Sequence, residues 1–97
     1  MNHFLLNDYT TFYIIENNPD TGYLKVIEKY FLKLAKAKKD NQITYGNFGE
    51  SFSNFIYATA AFKSERSLII LKKILDEEIY DTTVQKKEVA NMIFMKR

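Results

Sequence analysis

Tyr45, Phe48, Phe52, Phe55, Thr59 and Phe62 constrain this chain more than any other set of residues, because they follow one another at steps of three, four, three, four and three. Such steps return to the same side of an α-helix, so the six side chains form one apolar seam that another helix must cover. The preceding segment, YLKVIEKYFLKLAKAKKD, carries the same logic, with Tyr23, Ile27, Tyr30, Phe31 and Leu34 on one face and lysines on the other. Only the polar turn Asp40, Asn41, Gln42 separates the two patterns. Two amphipathic helices joined so briefly are expected to run antiparallel, and the stretch from Tyr23 to Phe62 then acts as the helical hairpin on which the rest packs.

The flanking segments predict further helices. Residues 6–16 form the first, with Tyr9, Phe12, Tyr13 and Glu16 at a helical step and Asn7 or Asp8 as a possible cap, although TTFYII also suits a strand. Asn17, Asn18 and Pro19 break it, and the second helix, 19–39, opens with Pro19 in its first turn and closes with Lys36, Lys38 and Lys39, which suit the negative end of the helix dipole. The third helix covers 44–62 with Thr44 as its N-cap and Gly46 and Gly49 in its opening turns. Ser64 caps a fourth, 64–80, lined by Leu68, Leu71, Leu75 and Ile79 and widened by Ile70 and Ile74. Thr82 and Gln85 have the spacing of a capping box for a last segment, 83–95, in which Val84, Val89, Met92 and Ile93 form an apolar stripe. That segment either closes the core or lies loosely against it and offers Met and Phe side chains to a partner, with core closure preferred. The expected architecture is all-α: an antiparallel four-helix bundle with a short C-terminal helical segment, in one domain covering residues 1–97. Leu34, Phe52, Phe55, Leu71 and Leu75 are its expected core.

Composition narrows the function. One proline and three glycines leave little room for turn-rich β architecture, and a chain that is 46% hydrophobic is not disordered. Cysteine is absent, which removes disulfides, thiolate nucleophiles and cysteine metal ligands. The one histidine, His3, sits beside the chain start, where a positioned general acid or base is rarely found. Asp76, Glu77, Glu78 and Asp81 form an acidic knot, but neighbouring helical residues point in different directions and no calcium-loop pattern accompanies them. Gly22, Gly46 and Gly49 make no phosphate-binding pattern. Neither catalysis nor a cofactor or metal is expected, and the chain reads as a binding protein.

The net charge is only +2, and the two sides of Ile43 are balanced, with six basic against five acidic residues and then eight against seven. Locally, Lys25, Lys29, Lys33, Lys36, Lys38 and Lys39 face only Glu28 within their helix, so this lysine patch and the acidic knot could pair with each other or with a partner. Nucleic acid is not an expected partner, since no arginine accompanies those lysines. A peripheral membrane contact through them, or through Lys86, Lys87, Lys96 and Arg97, fits better. The N-terminus has no basic region ahead of an apolar core, and no stretch approaches the ~18 apolar residues of a membrane span. The expectation is a soluble, cytoplasmic protein, with peripheral association to a membrane as its other expected location.

Three stretches carry a resemblance: YLKVIEKYFLKLAKAKKD from Tyr23, SNFIYATAAF from Ser53 and SLIILKKILDEEI from Ser67. In this order, a lysine-rich second helix with a YLKL-like core, an aromatic third and a charged fourth, the chain resembles the immunity proteins of pediocin-like (class IIa) bacteriocins, especially the enterocin A immunity branch. The likeness covers roughly 18–80 and lies in pattern rather than in an invariant motif. It implies a cytosolic antiparallel four-helix bundle in a Gram-positive bacterium. There it would bind the bacteriocin-engaged mannose phosphotransferase permease from inside and prevent lethal leakage. The family's C-terminal half is implicated in choosing the bacteriocin, so the implied contact residues here are Lys72, Lys73, Asp76, Glu77, Lys86, Lys87, Met92 and Phe94. The alternative is an immunity protein or phage-encoded inhibitor directed at a different toxin or effector, although the net charge of +2 suits a nuclease blocker poorly.

Overall fold

The computed structural model describes residues 8–42, 50–62 and 64–96. Every regular element among them is helical: α1 (Asp8–Asn17), a 3-10 turn (Thr21–Tyr23), α2 (Leu24–Lys39), α3 (Glu50–Ala61), α4 (Glu65–Asp76) and α5 (Thr83–Lys96). The expected N-cap Thr44, Gly46, Gly49 and the seam residues Tyr45 and Phe48 lie outside the described residues, as does His3.

The seam of α3 is the centre of the molecule. Phe52, Phe55, Thr59 and Phe62 are all buried, together with Ile56 and Ala58, and the Thr59 hydroxyl donates to the Phe55 carbonyl at 2.8 Å, so its burial leaves no polar atom stranded. Helix α3 touches each of the other four helices. Its most extensive backbone contact is with α1 rather than α2, which departs from the hairpin expected over 23–62. Large rings explain the difference. Tyr30 of α2 meets Phe55 of α3 with centroids 4.9 Å apart, and Phe12 of α1 lies against both at 4.8 and 5.5 Å. The Tyr30 and Phe55 rings together fill the space between α2 and α3.

Helix α1 buries Thr11, Phe12 and Ile15 while Tyr13, Ile14 and Glu16 are exposed, so the stripe through Phe12, Tyr13 and Glu16 is corrected to one through Phe12 and Ile15. Pro19 also moves out of the second helix. Asp20, in extended backbone, accepts from the Gly22 N–H at 2.8 Å and starts the 3-10 turn, and the α-helix proper begins at Leu24. The α2 face comes out as its periodicity requires, with Leu24, Ile27, Tyr30, Phe31, Leu34 and Ala37 buried and Tyr23 half-buried.

Helix α4 begins where expected, with Ser64 Oγ accepting from the Arg66 N–H at 3.1 Å. Its buried face is Ser67, Ile70, Leu71 and Ile74, with Leu68 and Leu75 half-buried, so the stripe is rotated from the leucine line and Leu75 leaves the expected core. The helix stops at Asp76 instead of continuing to 80. Glu78 takes φ 55°, and the N–H groups of Ile79 and Glu78 donate back to the carbonyls of Ile74 (2.9 Å) and Leu75 (3.3 Å). This pair of bonds is a Schellman motif, which turns the chain and drops Ile79 into the core at 2% exposure. Helix α2 ends the same way, with Asn41 at φ 57° and N–H groups of Gln42 and Asn41 donating to Ala37 and Lys38.

The capping box of α5 forms as its spacing predicts: Gln85 N–H donates to Thr82 Oγ1 at 3.2 Å, while Gln85 Oε1 accepts from the N–H groups of Asp81 (2.6 Å) and Thr82 (3.3 Å). Helix α5 packs on both α3 and α4, with Val89 fully buried and Met92 and Ile93 half-buried against the core. It closes the core. Val84, placed on the expected apolar stripe, is instead exposed.

Candidate functional site

Two polar ties fix the helices that carry the candidate contact residues. Arg66 of α4 donates from Nε (3.0 Å) and Nη2 (2.5 Å) to one carboxylate oxygen of Glu28 on α2. Glu88 of α5 accepts from Ser53 Oγ (2.9 Å) and Tyr57 Oη (3.0 Å) of α3. The hydrogen bond that the Tyr57 hydroxyl donates to the Glu88 carboxylate, followed by partial burial, raises the Tyr57 pKa above its ordinary 10.0. The second tie sets the rotation of α5 about its axis, and with it the side chains that face outward.

The eight candidate contact residues separate into distinct places. Lys72, Lys73 and Asp76 lie on the exposed face of α4 around Ile69, which is itself 50% exposed. Lys86 and Lys87 are exposed at the start of α5, and Phe94 is 75% exposed near its end, on the side shared with Lys87 and Asn91. Met92 is not on that surface, because it is half-buried against the core. Its neighbour Met95, at 73% exposure, is the sulfur side chain that projects outward. Sequence reasoning missed both Met95 and Ile69. For Ile69 a signal existed, since Glu65, Lys72 and Lys73 stand four before, three after and four after it on one helical face.

Glu77 belongs to a different place. It lines an open groove of about 510 Å3 together with Ala35, Lys36, Lys38, Lys39, Asp40 and Ile79, formed where the C-terminal ends of α2 and α4 come together. Each helix end carries partial negative charge, to which Asp40 and Glu77 add, so the arrangement depends on the lysines of the last α2 turn. Lys36 Nζ lies 2.9 Å from Asp40 Oδ2; that hydrogen bond and the carboxylate's charge raise the lysine pKa above its ordinary 10.5. The lysine patch and the acidic knot thus share a groove, although among the described residues no ion pair joins Glu77 to a lysine. Asp76, Glu77, Glu78 and Asp81 are all exposed, and among the described residues no group of three or more histidine, cysteine or acidic side chains is arranged to hold a metal ion. Among the same residues, no helix is long and apolar enough to cross a membrane.

No protein-family model, no curated protein and no solved structure matches the chain. On α4 and α5, charged side chains stand beside exposed apolar ones, while the inner faces of both helices pack into one core.

Proposed function

We propose that this chain is a bacteriocin immunity protein, an antiparallel four-helix bundle of α1 to α4 extended by α5, which protects a Gram-positive cell against a pediocin-like peptide. The reading rests on the resemblance of its lysine-faced, aromatic and charged helices, in that order. The observation that carries it is the outward edge of α5, where Phe94 and Met95 stand exposed on the same helix as Lys86 and Lys87. Binding one face of a larger protein requires an apolar patch with a charged rim, presented on a fixed element. The capping box, buried Val89 and the Glu88 tie supply the fixing. In this reading Lys72, Lys73, Asp76, Lys86, Lys87, Phe94 and Met95 contact the cytosolic side of the mannose phosphotransferase permease once the peptide has engaged it. No residue performs chemistry, and protection comes from occupancy.

The test is a killing assay. The chain is produced inside a sensitive Gram-positive strain and challenged with a panel of pediocin-like peptides. Survival against one or a few members supports the proposal, and Phe94→Asp or the pair Lys86→Glu/Lys87→Glu then abolishes survival while the purified variants unfold at the parental denaturant midpoint. Full protection by those folded variants would remove the α5 edge from the contact. Death against every peptide, with the protein folded and abundant, would overturn the class.

A further inference from the structure

We propose that the outer face of α2 docks flat onto an anionic lipid surface. Burial of Leu24, Ile27, Tyr30, Phe31, Leu34 and Ala37 turns the opposite side of the helix to solvent. At about 100° per residue, Lys25, Lys29, Leu32, Lys36 and Lys39 fall within about 80° of arc and extend roughly 21 Å along the axis. All five are exposed. Of the acids on this helix and at its end, Glu28 is held by Arg66 of α4, whereas Asp40 pairs with Lys36 and offsets the charge of that one stripe lysine. Among the described residues, no ion pair holds Lys25, Lys29 or Lys39. Lys33 sits to one side, its Nζ 5.4 Å from the Tyr30 ring centroid.

The remaining feature selects the occupant. Leu32 lies at the centre of the lysines with 64% of its surface exposed, a position that costs free energy in water and suits a boundary between headgroups and acyl chains. Lysines are compact charges on long apolar stems, so they can reach phosphates while their stems cover the apolar boundary. A row on the convex side of a helix suits a planar sheet of charge. No arginine lies in it for the bidentate phosphate or base contacts that favour nucleic acid. The face is separate from the α4 and α5 contacts of the proposed function and requires neither peptide nor permease.

The experiment is co-sedimentation of the full chain with vesicles of phosphatidylcholine alone or mixed with phosphatidylglycerol, at low and high salt. The expected result is partition onto the phosphatidylglycerol vesicles only, weakened by salt. Lys25→Gln/Lys29→Gln should lower that partition by about 25-fold, at about fivefold per lysine. Leu32→Ala should also lower it, whereas Lys72→Gln/Lys73→Gln on α4 should leave it unchanged. Circular dichroism and thermal unfolding confirm that each variant remains folded. Equal binding to both vesicle types, or equal loss from the α4 pair, would overturn the proposal. So would complete displacement by polyglutamate at matched charge, because the stripe would then be a general polyanion site.

Discussion

The core has two ends built on different principles. Where α1, α2 and α3 meet, Phe12, Tyr30, Phe52 and Phe55 interlock as tilted and edge-to-face rings with centroids 4.8 to 6.5 Å apart. Where α4 and α5 close the molecule, the filling is Ile70, Leu71, Ile74, Ile79 and Val89, with no ring contact among them. Large rings have few rotamers and specific mutual orientations, so at the first end side-chain shape sets the helix positions. Branched aliphatics are less directional, and at the second end the backbone is set by local polar chemistry: the Ser64 cap, the turn at Glu78 and the capping box of Gln85. One end is a jigsaw and the other a set of pinned joints.

If that contrast is right, cutting a ring should cost most. Phe55→Ala is expected to destabilise by about 3–5 kcal/mol through loss of contacts on both Phe12 and Tyr30, read as a lowered urea midpoint. At the aliphatic end, Ile74→Val should cost only about 0.5–1.5 kcal/mol, and a loss matching that of Phe55→Ala would dissolve the comparison. The joints come next. Gln85→Ala leaves the Asp81 and Thr82 N–H groups without their acceptor, for about 0.5–2 kcal/mol, with faster amide exchange confined to the start of α5.

A smaller effect, of opposite sign, distinguishes the two Schellman turns. Glu78 pays for a left-handed backbone that glycine adopts freely, so Glu78→Gly should stabilise by about 0.5–1 kcal/mol, whereas Asn41→Gly should change little because asparagine tolerates that conformation. The smallest expected effect is alkaline. Because the Tyr57 pKa is raised in the folded state, its contribution is fully present below its ordinary 10.0 and is lost as pH rises through the higher folded value. Tyr57→Phe should therefore flatten that part of the stability profile above about pH 10 and leave neutral pH slopes unchanged. An unaltered alkaline limb would mean that the Glu88 tie does not survive in solution.

Of the candidate contacts, the sequence located Lys72, Lys73, Asp76, Lys86 and Lys87 on their helices but placed Glu77 inside α4, which ends one residue before it, and could not tell which side chain faced a groove. Glu77 follows Asp76 directly, yet the left-handed turn at Glu78 begins beside it and brings it to the α2 lysines. Nothing in the residue order announces a glutamate at positive φ. Met92 and Met95 differ in exposure for an equally tertiary reason, because the Glu88 tie and Val89 fix the rotation of α5.

The sequence by itself determined the all-α class, the seam through Phe52, Phe55, Thr59 and Phe62, the buried face of α2, and the Ser64 and Gln85 caps. Each is a matter of spacing within a few residues, and local geometry reads spacing directly. Tertiary structure decided which helices approach closely, where α4 stops, and which side chains of α1 and α5 face water. Those outcomes depend on ring volume at Phe12, Tyr30 and Phe55 and on hydrogen bonds between helices 31 to 38 residues apart, and no local pattern encodes them.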